Sequence, residues 1–214
     1  EYFVKKIPEN LFTLEMANNH MGDIEHGIQV IKEFGKVCQK YPFSFAFKLQ
    51  YRQLDSFIHP DMQGRDDVPY IKRFSETRLT RKEHDLLIEE IRKQGFLTMS
   101  TPFDEESVDI IESQDLDIIK IPSCSFGDWP LLERISQTNK PIIASTAGAP
   151  TEVIDQVISF LKHRKKEFAI LHCVGEYPTP DENMHISQID FLKNRYPDVR
   201  IGFSTHEDTS NTDF

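Results

Sequence analysis

LHCVGEYPTP, Leu171 to Pro180, closes one apolar run and opens a loop. With the residues before it, FAILHCV (168–174) reads as a short buried strand, because a brief apolar run bounded by turn signals fits a strand covered on both faces. The run ends in a turn at Gly175 and a loop bracketed by Pro178 and Pro180. Polar groups gather where the apolar character stops: His172, then Glu176 and Tyr177. An apolar strand, a few polar residues, a turn and an amphipathic helix form one unit of grammar, and the same unit recurs along the chain.

Upstream, LFTLEMA (11–17) is the first strand, followed by the turn cluster Asn18, Asn19, His20 and Gly22. Ile24, Ile28, Ile31, Phe34 and Val37 recur at helical spacing over 24–39. FSFAFKLQ (43–50) is the second strand. Residues 51–79 form a connection far longer than most in compact domains, as binding loops and lids often are. Thr80 and Glu83 make a capping box for a helix to about Lys93. GFLTMST (95–101), DIIKIPS (117–123) and KPIIAST (140–146) are the third to fifth strands, with helices at 103–113, after Asp128 and after Pro150. Downstream of the opening stretch come a helix over 185–196 and a seventh strand, VRIGFST (199–205). Residues 1–10 read as a cover over one end of the core.

Strands alternating with helices imply an α/β protein with a parallel sheet. Polar groups at nearly every strand end point to a TIM-type (β/α) barrel, whose chemistry sits at the C-terminal ends of its strands. A doubly wound open sheet also fits the alternation, although no G-x-G-x-x-G or Walker pattern supports a nucleotide-binding version. Residues 1–214 are expected to form one barrel domain, truncated after the seventh strand.

A net charge of −10 argues against general nucleic-acid or membrane-surface binding. Cys38, Cys124 and Cys173 lack metal-type spacing and read as reduced thiols, and with no signal-peptide pattern the expected location is cytoplasmic. Cys124 and Cys173 are expected to be packing residues.

The chemistry is concentrated at strand ends: Glu15, Lys48 and Gln50, Ser100 and Thr101, Lys120 and Ser123, Ser145 and Thr146, His172, then Ser204 and His206. A lysine inside FAFKLQ or IIKIP has apolar neighbours on both sides, and burying an ammonium without a partner is costly. Two such lysines with several hydroxyls would make a donor-rich pocket for a phosphate or a phosphate-plus-carboxylate ligand. Each lysine alone fits an ion pair equally well. His172 reads as a satisfied core histidine, whereas His206, among Ser204, Glu207 and Asp208, is balanced between that role and metal ligation. Glu105/Glu106 and Asp66/Asp67 read as solvated faces.

LEMANNHMGD, FKLQ, STPFDEESVD, IKIPSCS with DWPLLE, KPIIAST, LHCVGEYPTP and GFSTHED span nearly the whole chain. In this order and spacing they resemble the N-acetylneuraminate (sialic acid) synthase family. The resemblance implies condensation of phosphoenolpyruvate with an amino-sugar aldehyde, such as N-acetylmannosamine, to a nine-carbon 2-keto acid with release of phosphate. It implies a divalent metal, Mn²⁺ with Mg²⁺ as the alternative, and allows a homodimer. It assigns Lys48, Thr101, Lys120, Ser123, Ser145 and Ser204 to phosphoenolpyruvate, His206 to the metal, Glu15 to the reacting carbons, and Gln50 and Tyr177 to the sugar. It leaves His172 outside the ligand set. Two departures fall where the sugar should lie: Ser125 in place of a glutamate, and Val174-Gly175-Glu176 in place of a run containing an asparagine. The competing readings are a synthase acting on another aldose and a non-catalytic barrel that binds sugar or phosphoenolpyruvate.

Two structural expectations follow. Residues 51–79 should lie at the C-terminal ends of the strands and shape the sugar half of the site. A barrel closes with eight strands, so the native polypeptide is expected to continue past Phe214, supplying an eighth strand and a second metal-binding histidine. Residues 1–214 alone are then expected to have little synthase activity.

Overall fold

The computed structural model describes residues 6–208 and Ser210. Within them seven strands alternate with helices: β1 (Leu11–Glu15), α1 (Ile24–Cys38), β2 (Ser44–Tyr51), α2 (Leu54–Phe57), α3 (Pro69–Glu76), α4 (Arg81–Lys93), β3 (Leu97–Pro102), α5 (Glu105–Ser113), β4 (Ile118–Ile121), α6 (Trp129–Ser136), β5 (Ile142–Ser145), α7 (Thr151–His163), β6 (Phe168–Cys173), α8 (Ser187–Arg195) and β7 (Arg200–Ser204). Each strand read from the sequence is present; β2 and β3 start one and two residues later than read and run one residue further, and the others are shortened at one end or both. The chain divides into two compact units, Pro8–Ile118 and Ile119–Phe214 with Glu1–Ile7.

In the first unit β1, β2 and β3 pair in parallel and in chain order. Alternation along β2 separates two faces. Phe45, Phe47, Leu49 and Tyr51 take one side, where Phe47 meets Phe34 of α1 edge-on and Tyr51 stacks edge-on against His84 of α4. Ala46, Lys48 and Gln50 take the other. The helices start where their caps dictate. The Asp23 carboxylate accepts from the Glu25 and His26 amides at 2.9 and 3.2 Å, and Thr80 and Glu83 form the reciprocal capping box expected from the sequence.

The connection 51–79 is not a bare loop, because it contains α2, a 3-10 turn at Pro60–Met62 and α3. It lies at the C-terminal ends of the strands, as expected. The Gln53 amide donates to Asp104, just after β3, at 2.8 Å, and Asn18, just after β1, donates to the Thr77 hydroxyl at 2.6 Å. Arg78 and Asp55 close it with a two-pronged ion pair.

In the second unit β4 to β7 pair in parallel, again in chain order. Ile7, the first buried one among the described residues, donates its amide to Glu167 before β6 and accepts from Arg200 of β7 at 2.5 Å. Residue 7 thus covers the N-terminal ends of these strands, while residues 1–5 of the expected cover lie outside the described residues.

Candidate active site

In the first unit, Glu15 and Lys48 are register partners on β1 and β2, and Gln50 is the partner of Thr101 on β3. All four are on the face opposite the aromatic layer. Lys48 is only 9% exposed, and its ammonium donates to the Glu15 carboxylate and to the Thr101 hydroxyl, the latter at 3.4 Å. The ion-pair reading of this lysine therefore holds, and its ammonium also lies beside a strand-end hydroxyl. Glu15 also accepts the Ala17 amide at 2.8 Å, which fixes the carboxylate against the turn after β1. Ser100 does not join this group. One residue from Thr101, it points to the other face, where its hydroxyl is fully buried with no hydrogen-bond partner.

The second unit carries an equivalent cluster. Lys120 of β4 is 7% exposed and donates to the Ser145 hydroxyl of β5 at 2.6 Å and to the Ile121 carbonyl at 3.1 Å. Burial holds its pKa down to about 8, against a weaker upward pull from the neighbouring thiols of Cys173 and Cys124. The register carries this face onward, since Ser145 pairs with Leu171, and Cys173, two residues on, pairs with Ser204. Ser123 accepts the Ala147 amide at 3.2 Å. Cys173 is buried as expected, but Cys124 is exposed on the turn after β4, so packing does not explain it.

His172 lies on the opposite face from Ser145 and Ser204. Its Nε2 meets the Met184 carbonyl at 2.8 Å and its ring stacks on Phe203, 6° from parallel, so it is a satisfied core histidine. His206 differs. Its Nδ1 lies 2.7 Å from the Val174 carbonyl, which can only accept, so Nδ1 carries a proton, and in the neutral ring the lone pair is on Nε2. That tautomer suits metal ligation, in which the other ring nitrogen commonly donates to a carbonyl. The Tyr177 ring lies 3.8 Å from the imidazole, centroid to centroid, and is itself largely exposed. No group of three or more His, Cys, Asp or Glu side chains that could hold a metal occurs among the described residues.

The sequence reading missed Arg52. Its guanidinium lies over the rings of Phe74 and Phe103, 4.2 and 3.7 Å from their centroids, and donates to Gln50 Oε1 at 2.9 Å. The signal available was a lone arginine beside a strand-end glutamine, with aromatic residues at distant positions in the sequence. Of the two departures, Ser125 is buried, and Glu176 accepts from the Asn183 amide at 2.9 Å.

Comparison with known proteins agrees with these motifs. The NeuB family matches residues 44–214. An N,N'-diacetyllegionaminic acid synthase of Campylobacter jejuni is 32% identical over 204 residues, covering 92% of this chain and 61% of its own. A solved structure from Chromobacterium violaceum, assigned as a spore coat polysaccharide biosynthesis protein E, is 56% identical with a TM-score of 0.92, covering 95% of this chain and 60% of its own. The N-acetylneuraminic acid synthetase of Leptospira borgpetersenii, solved with citrate, is 28% identical with a TM-score of 0.80, covering 94% of this chain and 66% of its own. The chain thus spans little more than half the length of the curated relatives it matches.

Proposed function

Because this chain belongs to the NeuB family, we propose that it forms the barrel part of a synthase that condenses phosphoenolpyruvate with an amino-sugar aldehyde, giving a nine-carbon 2-keto acid and phosphate. The observation that carries the reading is the buried Lys120 ammonium, held at a strand end by Ser145. A cation kept out of water at a strand end, among hydroxyls, suits a small polyanion better than it suits packing.

By the family resemblance, Lys48, Thr101, Lys120, Ser123, Ser145 and Ser204 are the residues that would bind phosphoenolpyruvate. Fixing the enol in reacting geometry lowers the entropic part of the barrier. The methylene carbon bonds to the aldehyde carbon. Water then adds at the central carbon, and the bond from that carbon to the phosphate oxygen breaks. Glu15, fixed by Lys48 and the Ala17 amide, is the group to orient that water and take its proton. His206 would supply one ligand to a divalent metal, which when bound polarises the aldehyde oxygen as a Lewis acid. Gln50 and Tyr177 would contact the sugar. Closure of the strands into a barrel, cytoplasmic location and a homodimer belong to the same proposal.

The test is phosphate release and product mass spectrometry on the full-length protein with phosphoenolpyruvate and a panel of aldoses. A nine-carbon product from an N-acetylated hexosamine supports the proposal. Turnover only with non-aminated aldoses favours the other synthase reading. Phosphoenolpyruvate binding without turnover on any aldose favours a binding barrel.

A further inference from the structure

Gln50 ends the polar face of β2, and its amide can be turned either way. Arg52 decides which. A guanidinium has donors and no acceptor, so the amide atom 2.9 Å from Arg52 Nη2 must be the oxygen. The amide nitrogen is then the end turned away from Arg52. The guanidinium is in turn fixed by its two rings. Phe103 follows β3, and its amide donates to the Tyr51 carbonyl at 3.1 Å, so this ring is tied to the strand ends. Phe74 belongs to α3, in the long connection. The cation that contacts both rings joins that connection to the end of β2, and the two cation–π contacts restrict its rotation.

We infer that Arg52 is a positioning residue for the sugar half of the site: clamped by Phe74 and Phe103, it orients Gln50 to offer an N–H donor, so the sugar group read there is a hydrogen-bond acceptor, a hydroxyl or acyl carbonyl oxygen. This rests on the synthase reading. It goes further in assigning the amide's polarity and in making α3 part of the specificity apparatus through a side chain that need not touch substrate.

The experiment is steady-state kinetics of the full-length protein with Arg52→Met, Arg52→Lys and Gln50→Glu. Arg52→Met keeps the stem and loses the donors. It should raise KM for the sugar roughly ten- to a hundredfold, the range of a charge-assisted hydrogen bond, and leave KM for phosphoenolpyruvate within about twofold. Arg52→Lys, which can still donate to Gln50 but stacks less well, should recover part of the loss. Gln50→Glu keeps an acceptor for Arg52 and removes the offered donor, so it should raise sugar KM as much with the clamp intact. Hydrogen exchange over residues 69–77 should quicken in Arg52→Met and not in Gln50→Glu. Unchanged sugar KM in Arg52→Met, or phosphoenolpyruvate and sugar KM rising together, overturns the inference while the synthase reading stands. A full-length wild-type protein without turnover on any aldose overturns the synthase reading and the inference with it.

Discussion

Lys120 Nζ lies 2.6 Å from Ser145 Oγ, across two neighbouring strands of one unit, with both side chains almost wholly buried. Desolvation brings the lysine's pKa down to about 8, within reach of ordinary assay conditions.

Binding of phosphoenolpyruvate should therefore depend on pH in one direction. Below about pH 8 the ammonium is already present, and affinity should be flat until the ligand's own phosphate titrates. Above it, each ligand must bring a proton to Lys120, and affinity should fall by up to about tenfold per pH unit. Lys120→Met should remove that limb and weaken binding at pH 7, which calorimetry would show. Stability should move oppositely. The folded pKa is depressed below the unfolded value of about 10.4, so the unfolded chain binds more protons between the two, and stability rises with pH across that window. Lys120→Met should then be at least as stable as wild type at pH 7. A large fall in melting temperature would instead make Lys120 a structural residue.

Glu15→Gln should separate catalysis from folding. Glutamine keeps an acceptor for the buried Lys48 ammonium, and the Glu15 side chain is itself 41% exposed, so the variant should lose some stability but still fold. Losing the base should lower kcat by about a hundredfold or more. Thermal melts and kcat measured on one preparation decide the matter. Equal loss of both would place Glu15 in the scaffold.

The strand ends were legible because a lysine flanked by apolar residues, as in FAFKLQ or IIKIP, must find a partner or a ligand. The Thr80–Glu83 capping box was legible because its spacing is local. What lies across strands was not. The Glu15–Lys48 pairing depends on register, which no single strand declares, and the opposite facing of Ser100 and Thr101 needs the phase of the pleat. Helix α3 escaped notice for a physical reason: among its eight residues none is fully buried, and Val68 caps it without a side-chain hydrogen bond. Cys124 looked apolar in its run, yet the turn after Ile121 carries it to the surface.

His206→Ala should weaken Mn²⁺ binding by about tenfold or more, the least that loss of a ligand should cost when even outer partners of ligating histidines are worth that much. Electron paramagnetic resonance titration reads this without turnover. Val174 loses its side-chain donor in the same variant, so a modest fall in melting temperature should accompany it. Chelation of wild type should abolish phosphate release, and Mn²⁺ should restore it. Undiminished Mn²⁺ binding by His206→Ala would remove this histidine from the ligand set.

The long connection can be loosened at one point by a single methyl group. Gly22, in the turn after β1, has φ +75°, and a Cβ there would lie 2.8 Å from the Glu76 carbonyl oxygen at the end of α3. That neighbour is backbone, so it cannot swing aside as a flexible side chain would. Gly22→Ala must push the end of α3 away and strain the Asn18–Thr77 hydrogen bond beside it. Gly64, in the same connection, has φ +71° but nothing within 4 Å of a built Cβ. Both substitutions meet the left-handed backbone penalty of about 1 kcal/mol, and only Gly22→Ala adds the collision. Gly22→Ala should therefore cost more stability than Gly64→Ala, speed hydrogen exchange over 69–77 and raise KM for the sugar, with phosphoenolpyruvate affinity unmoved. If the two variants behave alike, the contact between the β1 turn and α3 contributes nothing to holding the connection over the strand ends.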